Sequence, residues 1–139
     1  MLKIIRAVVL LLLIGIGARI NAEMTVKDYR NAFKEKADPV TRKMAEAYFL
    51  GVGRGFSWAN GKLAVTNRPP LYCEPDKMPQ MNLGNYQDLV DGRISRLAKT
   101  VTKQELEQRL VEVLLLDALQ EAFPCTEQKC GADCRITPR

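Results

Sequence analysis

The sequence contains no histidine. Histidine is the commonest general base, the commonest zinc ligand and the usual partner of catalytic serines and cysteines, so its absence argues against nucleophilic and zinc-dependent catalysis. No pair of carboxylates stands out as an acid/base couple, and Glu105, Glu107 and Glu112 are typical of the solvated face of a helix. The acidic segment at residues 74–76 lacks the ligand density of a calcium loop. We therefore expect a protein that is not an enzyme and that holds neither a metal nor another cofactor.

A hydrophobic run of membrane-spanning length is also missing near the N-terminus. The apolar run at residues 7–18 has 12 residues, whereas a helix that crosses a bilayer needs about 20. Lys3 and Arg6 precede this run, and Ala22 fits the small residue at a signal-peptide cleavage site. The sequence therefore predicts a signal peptide over residues 1–22, cleaved after Ala22, and an exported domain over residues 23–139. An uncleaved membrane anchor is the alternative interpretation.

The predicted exported domain has no strong excess of charge of either sign. Three of the 21 Lys and Arg residues lie in the leader, and all 16 Asp and Glu residues follow it, so residues 23–139 carry 18 − 16 = +2. This balance and the lack of a basic run argue against nucleic-acid binding. Hydrophobic residues make up 47% of the chain and charged residues 27%, which is ordinary for a globular protein and excludes a disordered one.

Cysteine is scarce, but all four cysteines follow the leader: Cys73, Cys125, Cys130 and Cys134. An even number in an oxidising compartment predicts disulfides. There is no CxxC pair, which argues against a redox site, and the spacing does not favour a four-thiolate zinc site. Of the three possible pairings we favour Cys73–Cys125 with Cys130–Cys134. The first bridge closes a loop of about 50 residues, which stabilises the fold by roughly 4 kcal/mol in the chain-entropy model.

Apolar residues recur with helical spacing through most of the domain. Capping and proline signals then predict four helices: from Thr25, from Pro39 to about Trp58, from near Asn82 or Asn85 through Leu97, and from Lys103 to about Phe123. Residues 59–81 contain an Asn60-Gly61 turn signal and four prolines, and are predicted to be irregular, with a short hairpin arm at Leu63, Val65 and Leu71. The predicted fold is all-α, a compact bundle of about four helices with one long loop, stapled by disulfides, and residues 127–139 form a polar tail.

Two features of the helices predict close packing. Gly51 and Gly55 lower helix propensity, and the expected compensation is close approach of another helix to their bare backbone; fraying after Leu50 is the alternative. The fourth helix is apolar on more than one side, which is typical of a central helix or of a subunit interface. A symmetric homodimer would bury the excess apolar surface.

The long loop contains the best candidates for partner binding. Trp58, Lys62, Arg68 and Tyr72 place two aromatic side chains and two cations on one proline-rich segment. Trp, Tyr and Arg are enriched in binding hot spots, and proline lowers the cost of ordering a segment. In the alternative interpretation Trp58 and Tyr72 are core residues, and the two cations only make the protein more soluble.

Three segments resemble a known family. They are residues 47–52 (AYFLGV) with Gly55, residues 71–75 (LYCEP), and residues 116–125 (LDALQEAFPC). Together with the exported leader they are similar to the Rap/Tai immunity proteins, which protect bacteria from peptidoglycan amidase effectors of the type VI secretion system. The resemblance covers residues 45–125 and implies a helical, disulfide-bonded periplasmic protein that often dimerises and inhibits a Cys-His amidase by occupying its cleft.

A second function is compatible with the same features. Small helical, disulfide-bonded acid chaperones of the periplasm expose apolar surface at low pH. Because this chain has no histidine, only carboxylate protonation well below neutral pH could trigger such a change.

Overall fold

Five α-helices make up most of the structure, a computed structural model that describes residues 23–74 and 80–125. They are α1 (Val26–Phe33), α2 (Pro39–Val65), α3 (Leu83–Leu97), α4 (Lys103–Glu107) and α5 (Val111–Ala122). The described residues contain no strand, only an isolated antiparallel bridge between Thr25 and Leu110. The predicted leader, the Cys130–Cys134 bridge and the polar tail lie outside the described residues.

Local signals account for the start of α1. The Thr25 hydroxyl accepts a hydrogen bond from the Asp28 backbone, and the Asp28 carboxylate accepts one from the Thr25 backbone, as in a capping box. At the other end of α1, the Arg42 guanidinium of α2 donates to the carbonyl oxygens of Phe33 and Lys34 at 3.3 and 2.8 Å. These last carbonyls of α1 have no partner within the helix, so Arg42 satisfies them and joins α1 to α2.

The second helix is longer than the sequence predicts. It begins with the N-cap Asp38 and Pro39 at the first helical position, as expected, but it ends at Val65, seven residues beyond Trp58. The predicted turn at Asn60-Gly61 is therefore wrong. Asn60 is buried, and its side chain forms hydrogen bonds with the backbone of residues 71 and 72. These bonds favour the helical conformation of the chain at Asn60. The predicted hairpin arm is also wrong, because Leu63 and Val65 belong to α2.

The predicted fourth helix is divided into α4 and α5. Backbone hydrogen bonds join the break to the chain before α1, from Val26 N–H to the Arg109 carbonyl at 2.9 Å and from Val111 N–H to the Met24 carbonyl at 2.8 Å. These bonds require a non-helical backbone at Leu110, whose φ and ψ are −80° and 129°. The helix is broken because this long-range pairing satisfies the backbone groups that a continuous helix would have used.

The core lies between the helices and is almost entirely apolar or aromatic. Its largest fully buried side chains come from four parts of the chain: Phe49, Tyr72, Tyr86, Leu115 and Leu119. Helix α3 packs chiefly on α5, and Arg93 extends this contact by pairing with Asp117 and Glu121 at 3.2 and 2.5 Å. The predicted all-α class is confirmed.

The predicted Cys73–Cys125 bridge is confirmed, with the two Cα atoms 5.0 Å apart. Next to it, the Cys73 N–H donates to the Phe123 carbonyl oxygen at 2.9 Å. The segment after α2 is thus attached to the end of α5 by one covalent bond and one hydrogen bond. Among the described helices, none combines the length and apolar character that a membrane span requires.

Candidate interaction surface

Four of the five large hydrophobic side chains that are exposed in the described residues lie on α2. With small residues between them they form one stripe, interrupted by Lys62 before Val65, which we call the α2 outer face: Val40, Met44, Ala47, Gly51, Gly55, Trp58 and Val65. Trp58 is 81% exposed and Met44 69%. The buried residues of α2, among them Phe49 and Gly53, lie on the opposite side of the helix. The stripe is therefore not the core-facing side of α2.

The glycines of α2 have different surroundings. An added Cβ at Gly51 or Gly55 would meet no atom within 4 Å, whereas at Gly53 it would lie 2.5 Å from Cε2 of Tyr86. Close approach of another element was predicted at Gly51 and Gly55. Within the described chain that prediction is wrong, because both glycines face outwards; the close approach occurs at Gly53, against α3. The backbone at Gly51 and Gly55 is bare and accessible.

Three cations lie on or beside the α2 outer face. Lys43 and Arg54 lie along one edge, whereas Lys62 lies within the stripe, one helical turn from Trp58 and one from Val65, and all three are exposed. The only acidic residue of α2, Glu46, is half-buried and lies away from the stripe. No described salt bridge involves these three cations. The face therefore combines apolar residues with three cations, and the acidic Glu74 lies close to Arg54 and Trp58.

Three of the four residues predicted to bind a partner are on the surface. Trp58 and Lys62 are one helical turn apart on α2, and Arg68 follows the helix and is exposed. Tyr72 is buried, and its ring lies 6.3 Å from that of Phe123, centroid to centroid. Trp58 is thus exposed, as a residue that binds a partner must be. Tyr72 is a core residue, which agrees with the alternative interpretation.

A shallow pocket lies beside Trp58 where α2 meets the start of α3. Its lining includes Arg54 and Ser57 from α2, Glu74 from the loop, and Tyr86 from α3. Glu74 accepts a long hydrogen bond from the Ser57 hydroxyl, at 3.4 Å. Burial and the neighbouring Glu74 raise the pKa of Tyr72 far above its usual value, so its phenol stays neutral near this pocket. The described residues contain no group of three or more potential metal ligands.

The segment that returns from α2 towards the bridge is held in place. Asn67, with φ of 52°, reverses the chain after α2, and the Arg68 N–H donates to the Leu63 carbonyl at 2.9 Å. Further along, the Gln120 side chain of α5 donates to the Leu71 carbonyl at 3.1 Å. A surface fixed in this way loses little conformational freedom when it binds a partner.

Sequence analysis missed three members of this surface as binding residues: Val40, Met44 and Val65. The signal was present, because positions 40, 44, 47, 51, 58 and 65 repeat with a heptad spacing of 3.5 residues. The spacing alone does not tell whether such a stripe faces the core of its own chain or the outside. No protein-family model matches the chain, and comparisons with curated proteins and with solved structures give no match either.

Proposed function

We propose that this protein is a periplasmic immunity protein that binds a peptidoglycan amidase effector of the type VI secretion system and inhibits it sterically. The observation that supports a binding role best is the α2 outer face, on which Trp58 is 81% exposed. Isolated exposed hydrophobic residues are ordinary, but a contiguous apolar stripe marks an interaction site. The resemblance to the Rap/Tai proteins supplies the amidase as the partner.

Inhibition needs no chemistry from this chain. A rigid helix that covers the cleft of an amidase excludes peptidoglycan, and it does so at low entropic cost when its shape is already formed. The Cys73–Cys125 bridge supports this role, because it fixes the loop next to Trp58 and Glu74. The protein would then act as a binder and not as an enzyme.

The proposal is tested by mixing the purified protein with amidase effectors encoded near its gene and measuring peptidoglycan cleavage. We expect stoichiometric inhibition, weakened at least about tenfold by Trp58→Asp, since removing a hot spot costs 2 kcal/mol or more. Val113→Asp is the matched control, because Val113 is an exposed hydrophobic residue on α5. Absence of both inhibition and a complex with every nearby effector would contradict the proposal.

A periplasmic acid chaperone is the second candidate. It is favoured by the same observation, because an exposed apolar stripe can also hold unfolded clients. The two functions can be distinguished by light scattering, which measures the aggregation of a client protein. The assay is run at about pH 3, where carboxylates become protonated. Protection of the client there, without binding of any effector at neutral pH, would favour the chaperone.

The resemblance also implies a homodimer, which we include in the proposal. Most apolar residues of α5 are buried within one chain, and Val113 is the large hydrophobic residue of α5 that is left 52% exposed. The spare apolar surface expected of the fourth helix is therefore small. A monomer mass in analytical ultracentrifugation at micromolar concentration would contradict the dimer and leave the inhibitor role untouched.

A further inference from the structure

We propose that the α2 outer face receives one α-helix of another protein, and that this helix carries an apolar seam flanked by acidic residues. The inference rests on the proposed function, because it describes the part of a protein partner that fits this surface. It is independent of which enzyme the partner is.

The shape of the face points to a helix. Its members span positions 40 to 65, and all but Gly55 fall on a 3.5-residue repeat whose two other positions are Arg54 and Gly61, so the stripe runs about 38 Å along α2. A partner helix that crosses α2 at a small angle can follow such a stripe, because the 3.5-residue repeat keeps the contact on one side of both helices. A loop or the end of a strand would cover only a short part of it.

The centre of the face allows close approach. Gly51 and Gly55 have open space where a side chain would be, and Ala47 next to them is small. Larger apolar residues lie beyond this centre on both sides, Met44 towards the start of α2 and Trp58 towards its end. Small residues at a helix crossing let two backbones approach closely, and the large residues then pack against the partner on both sides of the crossing.

The charges of the α2 outer face indicate which kind of partner helix would bind. Lys43 and Arg54 border the stripe and Lys62 lies within it. Helix α2 has no acidic residue on this side, and the acidic Glu74 of the loop lies near Arg54 and Trp58. A second copy of this chain would bring the same cations together, and like charges facing each other across an interface disfavour association. Acidic residues beside the apolar seam of the partner would instead complement these three cations and speed its association.

The experiment uses the fluorescence of Trp58, the only tryptophan of the chain. Two synthetic four-heptad helices serve as probes: both have a leucine seam, one has glutamate at the flanking positions and the other has lysine. We expect the glutamate peptide to shift Trp58 emission to the blue and to bind at least about tenfold more tightly than the lysine peptide, with the difference shrinking in high salt.

Variants separate shape from charge. Gly51→Leu fills the bare centre without changing any charge, and we expect it to abolish the shift. The double variant Arg54→Glu and Lys62→Glu should bind the glutamate peptide more weakly and the lysine peptide more tightly than the wild type does. Lys27→Glu is the matched control, because Lys27 is exposed on α1; it should leave both titrations unchanged. Circular dichroism checks that each variant is folded.

Several results would overturn the inference. Equal binding of the two peptides, or no shift with either at millimolar concentration, excludes an acidic helix as the occupant. A blue shift that appears on concentrating the protein alone, and disappears in Gly51→Leu, means that a second copy occupies the face. An amidase effector that is inhibited equally well by the double variant would overturn the inference and leave the proposed function standing.

Discussion

The side chain of Asn60, in α2, holds the backbone of Tyr72, twelve residues further along the chain. Its amide nitrogen donates to the Tyr72 carbonyl oxygen at 2.9 Å, and its oxygen accepts from the Leu71 N–H at 2.7 Å. Asn60 is also the one buried polar residue among those described. Because it satisfies both a donor and an acceptor of the returning segment, it positions the chain that leads into the Cys73–Cys125 bridge.

Replacing Asn60 should therefore destabilise the protein. Asn60→Leu keeps the branching and the number of side-chain heavy atoms but leaves the Leu71 N–H and the Tyr72 carbonyl without a partner. We expect a loss of about 1–3 kcal/mol in the free energy of unfolding, measured by urea titration, because buried polar groups without partners carry this cost. Gln104→Leu, at an exposed position on α4, should change it by less than about 0.5 kcal/mol; a loss as large there would contradict the interpretation.

The glycines of α2 should respond in opposite directions to the same substitution. Gly53→Ala places a methyl group against the ring of Tyr86, which is buried and cannot move freely, so we expect destabilisation by about 1–3 kcal/mol. Gly51→Ala meets open space and should stabilise by about 0.5–1 kcal/mol through helix propensity. Thermal unfolding of the pair measures the difference, and equal effects would mean that Tyr86 does not pack on Gly53.

The sequence predicts most of the helices but not their limits. Capping boxes and the spacing of apolar residues are local signals, so the starts at Thr25, Pro39 and Lys103 agree with the structure. The Asn60-Gly61 turn signal is overridden because Asn60 finds partners in the distant residues 71 and 72. The break before α5 depends on pairing with the residues around Thr25. Neither tertiary contact is encoded within a short window of sequence.

The candidate surface was predicted in part. Trp58 and Lys62 were identified from their residue types, whereas Met44 and Val65 were not, because a heptad stripe looks the same whether it is buried or exposed. The glycine signal was assigned to the wrong positions for a related reason. Three glycines alternate at positions 51, 53 and 55, and only the packing of Tyr86 distinguishes the buried Gly53 from the other two.

Reduction of the Cys73–Cys125 bridge should lower stability without unfolding the helices. The bridge closes a separation of 52 residues, and its loss should cost about 4 kcal/mol, since the unfolded chain regains the entropy of an open loop. Urea titration of the double variant Cys73→Ala and Cys125→Ala measures this. Adding a reductant to that variant is the control, because it measures by itself what the predicted Cys130–Cys134 bridge contributes. A loss below 1 kcal/mol would contradict this entropic account, because the unfolded chain would then have gained little freedom from the open loop.

The N-cap of α2 should make stability depend on pH in acid. The Asp38 carboxylate accepts hydrogen bonds from the Thr41 N–H at 2.8 Å and from the Thr41 hydroxyl at 2.9 Å, and these bonds lower the pKa of Asp38 below its usual 3.8. Because the folded-state pKa is below the unfolded one, the contribution is complete above the unfolded pKa and is lost as the pH falls through the folded pKa.

The Asp38→Asn variant tests this dependence, because asparagine is also a good N-cap but does not titrate. We expect wild type to lose stability relative to Asp38→Asn as the pH falls below about 4, and the gap between the two to stay constant from pH 5 to 7. A gap for Asp38→Asn that varies with pH near neutrality would mean that another group titrates with the cap.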